Sequence, residues 1–416
     1  RYTIMQGSSV TGTYGSLSSS GMLNLIRPGL FYDPQHVYLI FTTNTSSVAQ
    51  TCQQQIIARQ IDGITNANSQ QSTILNQLII LSNPDIRRAL DTMAGEQHSD
   101  DLLTTGIINR QFIRRLYDPL RPTVTKNCET PRCWGLFQNL SQFKDTTFWG
   151  EFGGGQTHLY GKGGTYGLNM RGCELTLGFQ KSFPYNLIFG LAGSHEFDSL
   201  QYAGHGSGKS STGFLGAYGL YRPNFWYVLA NFAYGNSTNT LKRTIIVGSS
   251  QYKTSSHPTV NQFSFYSELG YDLQSKYILT QLFAGIESGS YSRGRASEHS
   301  SSGFQLIIDS RYYTNVFSRF GVHISTYRLP CNTFASLDLS WLKKLVNTQN
   351  NIRARFADFG NPFTINGTKL DNNTFEAAFT ISSRFFRDLR VYAETTGEIG
   401  SNFYSYNVQG GLEFVW

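Results

Sequence analysis

The chain has 416 residues and a net charge of +7, with 14% aromatic but only 15% charged residues. No apolar run approaches the roughly 20 residues that a membrane-spanning helix needs, and the basic residues are too dispersed for a nucleic-acid footprint. The composition remains compatible with a transmembrane β-barrel, because the lipid-facing and lumen-facing residues of such a barrel alternate and keep the average hydropathy low.

Residues 1–50 contain short β segments separated by turns, such as YTIMQGSSVTGTYGSL and LNLIRPGLFYDPQHVYLIF. They show no helical period. The sequence opens at Arg1 without a methionine or a signal-peptide pattern, so we expect a fragment or a processed chain.

Residues 51–145 begin with helical patterns. ILNQLIILS has apolar residues at helical spacing, and SNPDIRRALDTMAGE predicts a helix with Asn83 as N-cap, Pro84 at its first position and Gly95 after its end.

A second helix is predicted over SDDLLTTGIINRQFIRRLYDP, with Ser99 as its cap. Aspartates follow the cap and arginines come near the end, as the helix dipole favours. Three arginines form the clearest basic cluster of the chain: Arg110, Arg114 and Arg115.

From residue 146 to residue 416 the chain alternates apolar and polar residues, which indicates strands with one apolar face and one solvated face. We predict twelve strands, near 147–158, 164–181, 185–199, 210–221, 224–240, 259–273, 277–292, 310–328, 333–345, 373–385, 389–399 and 403–416. Tight connections alternate with mostly longer ones, which is the pattern of an outer-membrane barrel.

The polar rows of these strands carry carboxylates, which a barrel would place around its lumen. Six are predicted to face inward, toward the arginine-bearing helix: Glu174, Glu268, Asp338, Glu376, Glu394 and Glu413. A β-sandwich is the alternative, but its long strands would turn these rows to open water.

The last strand, YNVQGGLEFVW, has an apolar row that ends in aromatics. An exposed apolar edge invites aggregation, so this strand needs a partner. The row consists of Tyr406, Val408, Gly410, Leu412, Phe414 and Trp416.

AGHGSGKS, residues 203–210, is similar to a nucleotide-binding loop that ends in Gly208, Lys209 and Ser210. A phosphate-binding loop works because a helix N-terminus follows it. The residues that follow here alternate as a strand, so we do not expect a nucleotide site.

Other chemical motifs are weak. The histidines have no metal-like spacing and no GxSxG elbow is present, so neither a cofactor nor a catalytic site is expected. Cys128 and Cys133 are close enough in sequence to form a disulfide in an oxidising compartment.

Three stretches in order resemble the autotransporters of type V secretion. LIRPGLFYDPQHVYLIF is similar to the last β-helical segment of a passenger, and ILNQLIILSNPDIRRALDTMAGEQHSD to the junction that follows it. FWGEFGGGQTHLYGKGGTYGLNMRGCELTLGFQK is similar to the opening of the barrel. Trp416 stands where many members end in phenylalanine.

The resemblance implies three parts: a passenger end over 1–50, a helical junction and pore linker over 51–145, and a translocator over 146–416. The fold implied is a twelve-stranded antiparallel transmembrane barrel with a helix, ending near Leu116, through its pore, preceded by a β-helix-like remnant. The closing strand would be the signal that the barrel-assembly machinery reads and would pair with the first strand.

The resemblance also implies location and partners. The barrel would lie in the outer membrane as a monomer, with the N-terminal part at the cell surface and an adhesin-like passenger. Its partners would be membrane lipid, the assembly machinery, periplasmic chaperones and its own passenger, without nucleic acid, ATP or enzymatic activity. The alternatives are a porin-like or adhesin barrel with an N-terminal extension, and an outer-membrane lipase. No cleavage site is assigned in the linker.

Overall fold

The structure is a computed structural model that describes residues 2–18, 25–64, 66–120, 146–204, 206–275, 277–300, 302–326, 333–346, 349–385 and 388–415. The helices are α1 (Cys52–Asp62), α2 (Ser69–Ile79), α3 (Asn83–Ala94) and α4 (Gln97–Tyr117). The strands are β1 (Tyr2–Gln6), β2 (Ile26–Tyr32), β3 (His36–Thr43), β4 (Thr146–Tyr160), β5 (Gly167–Phe183), β6 (Leu187–Tyr202), β7 (Gly206–Tyr221), β8 (Trp226–Val247), β9 (Ser250–Ser256), β10 (Thr259–Gln274), β11 (Ile278–Arg293), β12 (Ala296–Ser297), β13 (Leu306–Ile308), β14 (Arg311–Thr326), β15 (Thr333–Lys344), β16 (Asn351–Phe356), β17 (Phe363–Asn366), β18 (Asn373–Arg384), β19 (Leu389–Gly400) and β20 (Phe403–Val415).

The first three strands form an antiparallel sheet in the order β1-β3-β2. The rungs of a β-helix pair in parallel, so the β-helix-like geometry expected for this segment is corrected. The cause is the tight turn between β2 and β3, where the carboxylate of Asp33 accepts hydrogen bonds from the backbone N–H groups of Gln35 and His36. Strands joined by so short a turn can pair only in antiparallel fashion.

Helices α1 and α2 begin with capping boxes that the sequence reading did not single out. The side chain of Thr51 accepts from the N–H of Gln54, and that of Asn68 accepts from the N–H of Gln71. Each glutamine side chain in turn accepts from the N–H of the cap residue, which satisfies two otherwise unpaired donors.

Two predicted helix starts are wrong by a few residues. The N-cap of α3 is Ser82, not Asn83, and Pro84 lies in the first turn as expected. Helix α4 begins at Gln97, so Ser99 lies inside it and does not cap it. The two helices are separated only by Gly95, in the left-handed region at φ 77°, and Glu96, which leaves no room for a cap at residue 99.

Twelve strands form a closed antiparallel barrel, in the order β4-β5-β6-β7-β8-β10-β11-β14-β15-β18-β19-β20. The last strand pairs with the first, from Phe403 opposite Leu159 to Val415 opposite Thr147. All twelve predicted strands are present, and the predicted fold class is confirmed. The last strand, which would otherwise be an exposed apolar edge, is therefore paired with β4 along its described length.

The barrel strands alternate as the membrane requires. Large apolar side chains face outward and are exposed, including Leu177 at 60%, Leu215 at 69% and Phe263 at 63%. The carboxylates of the same strands, such as Glu174, Glu268 and Glu376, face inward and are buried. Among the described helices, none is both long and apolar enough to cross a membrane.

Beyond the barrel, the long connections build a cap together with the N-terminal helices. Strands β12, β13, β16 and β17 form a third sheet, and β9 pairs with the outer part of β8. One apolar core joins helices α1 to α3 to these connections, including Ile57, Leu78, Leu90, Ile245, Phe304, Leu306, Ile352, Phe356 and Ile365. We call this unit the outer cap.

The core of the outer cap should be sensitive to a cavity. Leu90 is fully buried, so Leu90→Ala should destabilise the cap by about 2–5 kcal/mol. Hydrogen exchange of the α1 to α3 amides should accelerate while the amides of the barrel strands keep their protection. Ile80→Ala is the matched control, since Ile80 is 77% exposed. Equal exchange in both variants would contradict a shared core.

Candidate functional site: a helix inside the pore

Helix α4 lies inside the barrel and is buried along almost its whole length. Every residue from Gln97 to Tyr117 is buried except Gln111. A helix of 21 residues is about 31 Å long, close to the thickness of the hydrocarbon core. Its first turn contacts the outer connections, so it runs from the long-loop end of the barrel toward the short-turn end.

One side of α4 packs on apolar wall residues. The rings of Phe112 and Phe214 are stacked with centroids 4.6 Å apart. Phe112 and Leu116 also lie against Gly216, where an added methyl group would collide with Leu116. The ring of Tyr117 is 5.0 Å from that of Tyr266. The glycine therefore lets the wall approach the helix closely.

Arg115 points toward three carboxylates on neighbouring strands. Its Nε is 3.1 Å from Glu151 of β4, a second nitrogen pairs with Glu174 of β5, and a third is 4.0 Å from Glu196 of β6. All four side chains are at most 2% exposed. Such buried pairs are costly to break, because the remaining charge is left without compensation.

Arg114 and Arg110 point to other walls of the barrel. Arg114 is 2.7 Å from Glu376 and 3.0 Å from Glu394. Arg110 is 3.2 Å from a carboxylate oxygen of β11, in Glu287, and 3.4 Å from one of β19, in Glu398. The three arginines thus connect the helix to six of the twelve strands.

The six predicted lumen carboxylates all face inward, with three at the helix arginines and three elsewhere. Glu174, Glu376 and Glu394 pair with the helix. Glu268 accepts from Tyr227 and Tyr266, Asp338 pairs with His323, and Glu413 pairs with Arg390.

Several partners were missed by the sequence reading. Glu151, Glu196, Glu287 and Glu398 also reach the helix arginines, and Arg319 of the wall shares Glu376 with Arg114. The sequence does predict an inward position for Glu151, because its neighbour Phe152 in the first predicted strand faces outward and successive residues of a strand point to opposite faces. Which arginine each carboxylate meets depends on the depth and rotation of the helix.

At the outer mouth, a buried cluster joins α3, α4 and the outer connections. Arg243 of β8 donates to the carbonyl oxygens of Thr92 and Met93 at the end of α3 and pairs with Glu298. His98 lies 2.8 Å from the same carboxylate. Burial alone would raise the pKa of Glu298. Arg243 and His98 nevertheless hold the pKa of this carboxyl group well below its usual range. Arg243 thus satisfies carbonyls that the helix end leaves unpaired.

The remaining predicted residues are placed as follows. Tyr406, Val408, Leu412 and Phe414 face outward on β20, whereas Trp416 lies outside the described residues. Cys128 and Cys133 also lie outside them, and Cys52 and Cys173 are free and exposed. Residues 206–210 belong to β7, so no helix follows the phosphate-loop-like stretch and Lys209 is exposed on the outside of the barrel.

A closed twelve-stranded barrel whose pore holds a helix from the preceding residues is a plugged membrane barrel. Residues 148–396 match the family model for the autotransporter beta-domain. The chain therefore belongs to the autotransporter β-domain family and is an outer-membrane β-barrel translocator.

Three solved structures are similar to this chain at low sequence identity. The translocator domain of the autotransporter NalP from Neisseria meningitidis has a TM-score of 0.59 and 12% identity, over 76% of this chain and 98% of that chain. The β-domain of Bordetella BrkA gives 0.48 and 11%, over 65% and 99%. The transport unit of AIDA-I from Escherichia coli gives 0.43 and 11%, over 65% and 90%. No curated protein matches in sequence.

Reversing the charge of Arg115 should loosen the helix in the pore. Arg115→Glu would place a fourth carboxylate beside Glu151, Glu174 and Glu196, and we expect a loss of about 3–5 kcal/mol of stability. Single-channel conductance of the purified protein should rise as the helix leaves the lumen. Gln111→Ala on the same helix is the control, and unchanged conductance and stability in both variants would place the helix elsewhere.

The junction between α3 and α4 should weaken as the pH rises. Burial and the negative charge of Asp100 raise the pKa of Glu96 to about 8, from an ordinary value of 4.5. The folded chain therefore keeps a proton that the unfolded chain releases, so stability should be greatest below pH 4.5 and decline toward pH 8.

Glu96→Gln should flatten this decline, as measured by hydrogen exchange at the junction between pH 5 and 8. Asp358→Asn, at an exposed carboxylate of the outer connections, is the control. The same pH slope in Glu96→Gln and the wild type would show that another group is responsible.

Proposed function

We propose that the chain delivers an N-terminal passenger across the outer membrane and keeps it anchored at the cell surface. In this proposal residues 1–50 are the end of the passenger, residues 51–145 the junction and pore linker, and residues 146–416 the translocator. The observation that carries it is the course of α4, which connects the outer cap with the lumen.

The sidedness of the barrel supports surface exposure of the N-terminal part. The first barrel strand begins and the last barrel strand ends on the side of the tight turns, which in bacterial barrels is the periplasm. The cap packs on the long connections at the opposite end, and its helices come before α4 in the chain. Residues 2–94 would then lie outside the cell.

The outer cap supplies a source of free energy that does not need ATP. Burial of apolar surface stabilises by about 25 cal/mol per Å², and this core can form only where α1 to α3 meet the outer connections. Folding of the cap outside the cell would therefore oppose the return of the chain through the pore and draw the preceding residues outward.

Assembly would depend on the last strand. The outward row of Tyr406, Val408, Leu412 and Phe414 faces the membrane, and β20 closes the ring with β4. We propose this strand as the element that the barrel-assembly machinery reads, after periplasmic chaperones have kept the chain unfolded. That the passenger is an adhesin, that the barrel is monomeric and that it has no enzymatic activity stay predictions.

Deletion of residues 1–50 tests the proposal. A reporter fused before the remaining chain should reach the surface more slowly or not at all, while the barrel still inserts. Protease shaving of intact cells measures exposure of the reporter, and heat-modifiable gel mobility measures barrel folding. The reporter fused to the full chain is the control.

Secretion at the unchanged rate would count against a role of this segment. An open pore of nanosiemens order in the full chain would favour the porin-like alternative, because the described lumen is filled by α4.

A further inference from the structure

The acidic residues of the barrel strands lie on one face only. In the described barrel strands every carboxylate points into the lumen, namely Glu151, Glu174, Glu196, Asp198, Glu268, Asp272, Glu287, Asp338, Glu376, Glu394, Glu398 and Glu413. The outward face carries basic residues instead, and these concentrate at the long-loop end of neighbouring strands. An outward face without carboxylates does not repel anions.

Three basic residues form what we call the outward cationic patch: Arg171 of β5, Lys209 of β7 and Lys242 of β8. All three are exposed. Within the part of the chain that the structure describes, no ion pair is found for any of them. Their positive charges are therefore available to a ligand.

The strand register brings two members of the patch to one level across the sheet. Arg171 lies opposite Ser199 of β6, and Ser199 lies opposite Lys209. Neighbouring strands are about 4.8 Å apart, so the two cations flank the serine hydroxyl with backbones about 10 Å apart. Both side chains are long enough to converge on one phosphate, which a guanidinium can bind through two parallel hydrogen bonds.

An apolar surface continues from the patch toward the middle of the membrane. Toward the membrane centre, Leu175 and Leu177 come after Arg171 on β5, and Phe197 is the outward neighbour of Ser199 on β6, all of them exposed. On β7 the outward positions Ser211 and Gly213 separate Lys209 from the exposed Leu215. A depression of about 980 Å³ lies on the same face, lined by side chains that include Leu177, Leu191, Leu215 and Phe263. A cationic end above an apolar depression matches a molecule with an anionic head and acyl chains.

We propose that the outward cationic patch binds a phosphate-bearing lipid of the outer leaflet. The phosphate lies between Arg171 and Lys209, within reach of the Ser199 hydroxyl, and the acyl chains lie along the apolar surface below. This site goes beyond the proposed translocation, and it gives a role to the lysine of the phosphate-loop-like stretch. The patch lies at the end of the barrel where the long connections emerge, which is the outer-leaflet side.

Titration of the purified full chain in neutral detergent with diphosphorylated lipid A, followed by native mass spectrometry, tests the site. Each cation near an anionic lipid surface contributes on the order of 1 kcal/mol. Arg171→Ala combined with Lys209→Ala should therefore weaken binding about 30-fold. The dephosphorylated lipid should bind the wild type as weakly as the phosphorylated lipid binds the double variant.

Lys343→Ala is the matched control, because Lys343 is also outward and exposed near the long-loop end but on β15, away from the patch. It should leave binding unchanged. Equal binding by wild type and double variant, equal loss in Lys343→Ala, or equal affinity for inorganic phosphate and for the lipid would overturn the proposal. Heat-modifiable gel mobility verifies that each variant is folded, and reporter secretion is a separate readout.

Discussion

Backbone pairing in a medium without water is the constraint on which this structure depends. Each N–H and C=O group in the hydrocarbon region must find a partner within the protein, and a sheet achieves this only by closing on itself. The pairing of β20 with β4 completes that closure. Once the ring is closed, side chains that face the hydrocarbon region must be apolar and the polar side chains at the same depth face the lumen, so the alternation in the sequence and the exposed apolar surface follow from one requirement.

Confining polar groups to the lumen creates a second requirement, because buried carboxylates need compensation. Helix α4 provides it through Arg110, Arg114 and Arg115, while Arg319 and Arg390 do so from the wall. The helix and the carboxylates therefore depend on each other: an empty lumen would leave acidic groups unpaired, and a free helix would expose three arginines and an apolar flank. The close approach at Gly216 shows that the wall is shaped to fit the helix.

The sequence predicts those features that depend on a local period or on a face. The twelve strands and the inward carboxylates follow from a period of two. The helical pattern before the barrel predicts α4, whereas its place in the pore is implied only by the family resemblance. Features set by tertiary contacts were missed: β8 continues to Val247 because it pairs with β9 beyond the membrane, and α4 begins two residues before Ser99 because Gly95 ends α3 so abruptly. The short turn between β2 and β3 dictates their antiparallel pairing, whereas the family resemblance implies a β-helix for this segment.

The arginines of α4 point in different directions around the barrel, and this has a mechanical consequence. Turning the helix by one residue rotates it by about 100°, and sliding it by one turn shifts it by about 5.4 Å. Either movement separates Arg110, Arg114 and Arg115 from their partners at the same time. The three sets of ion pairs can therefore form together in only one position and rotation of the helix. Whatever is carried at the outer end of the helix emerges at one fixed height and azimuth relative to the membrane.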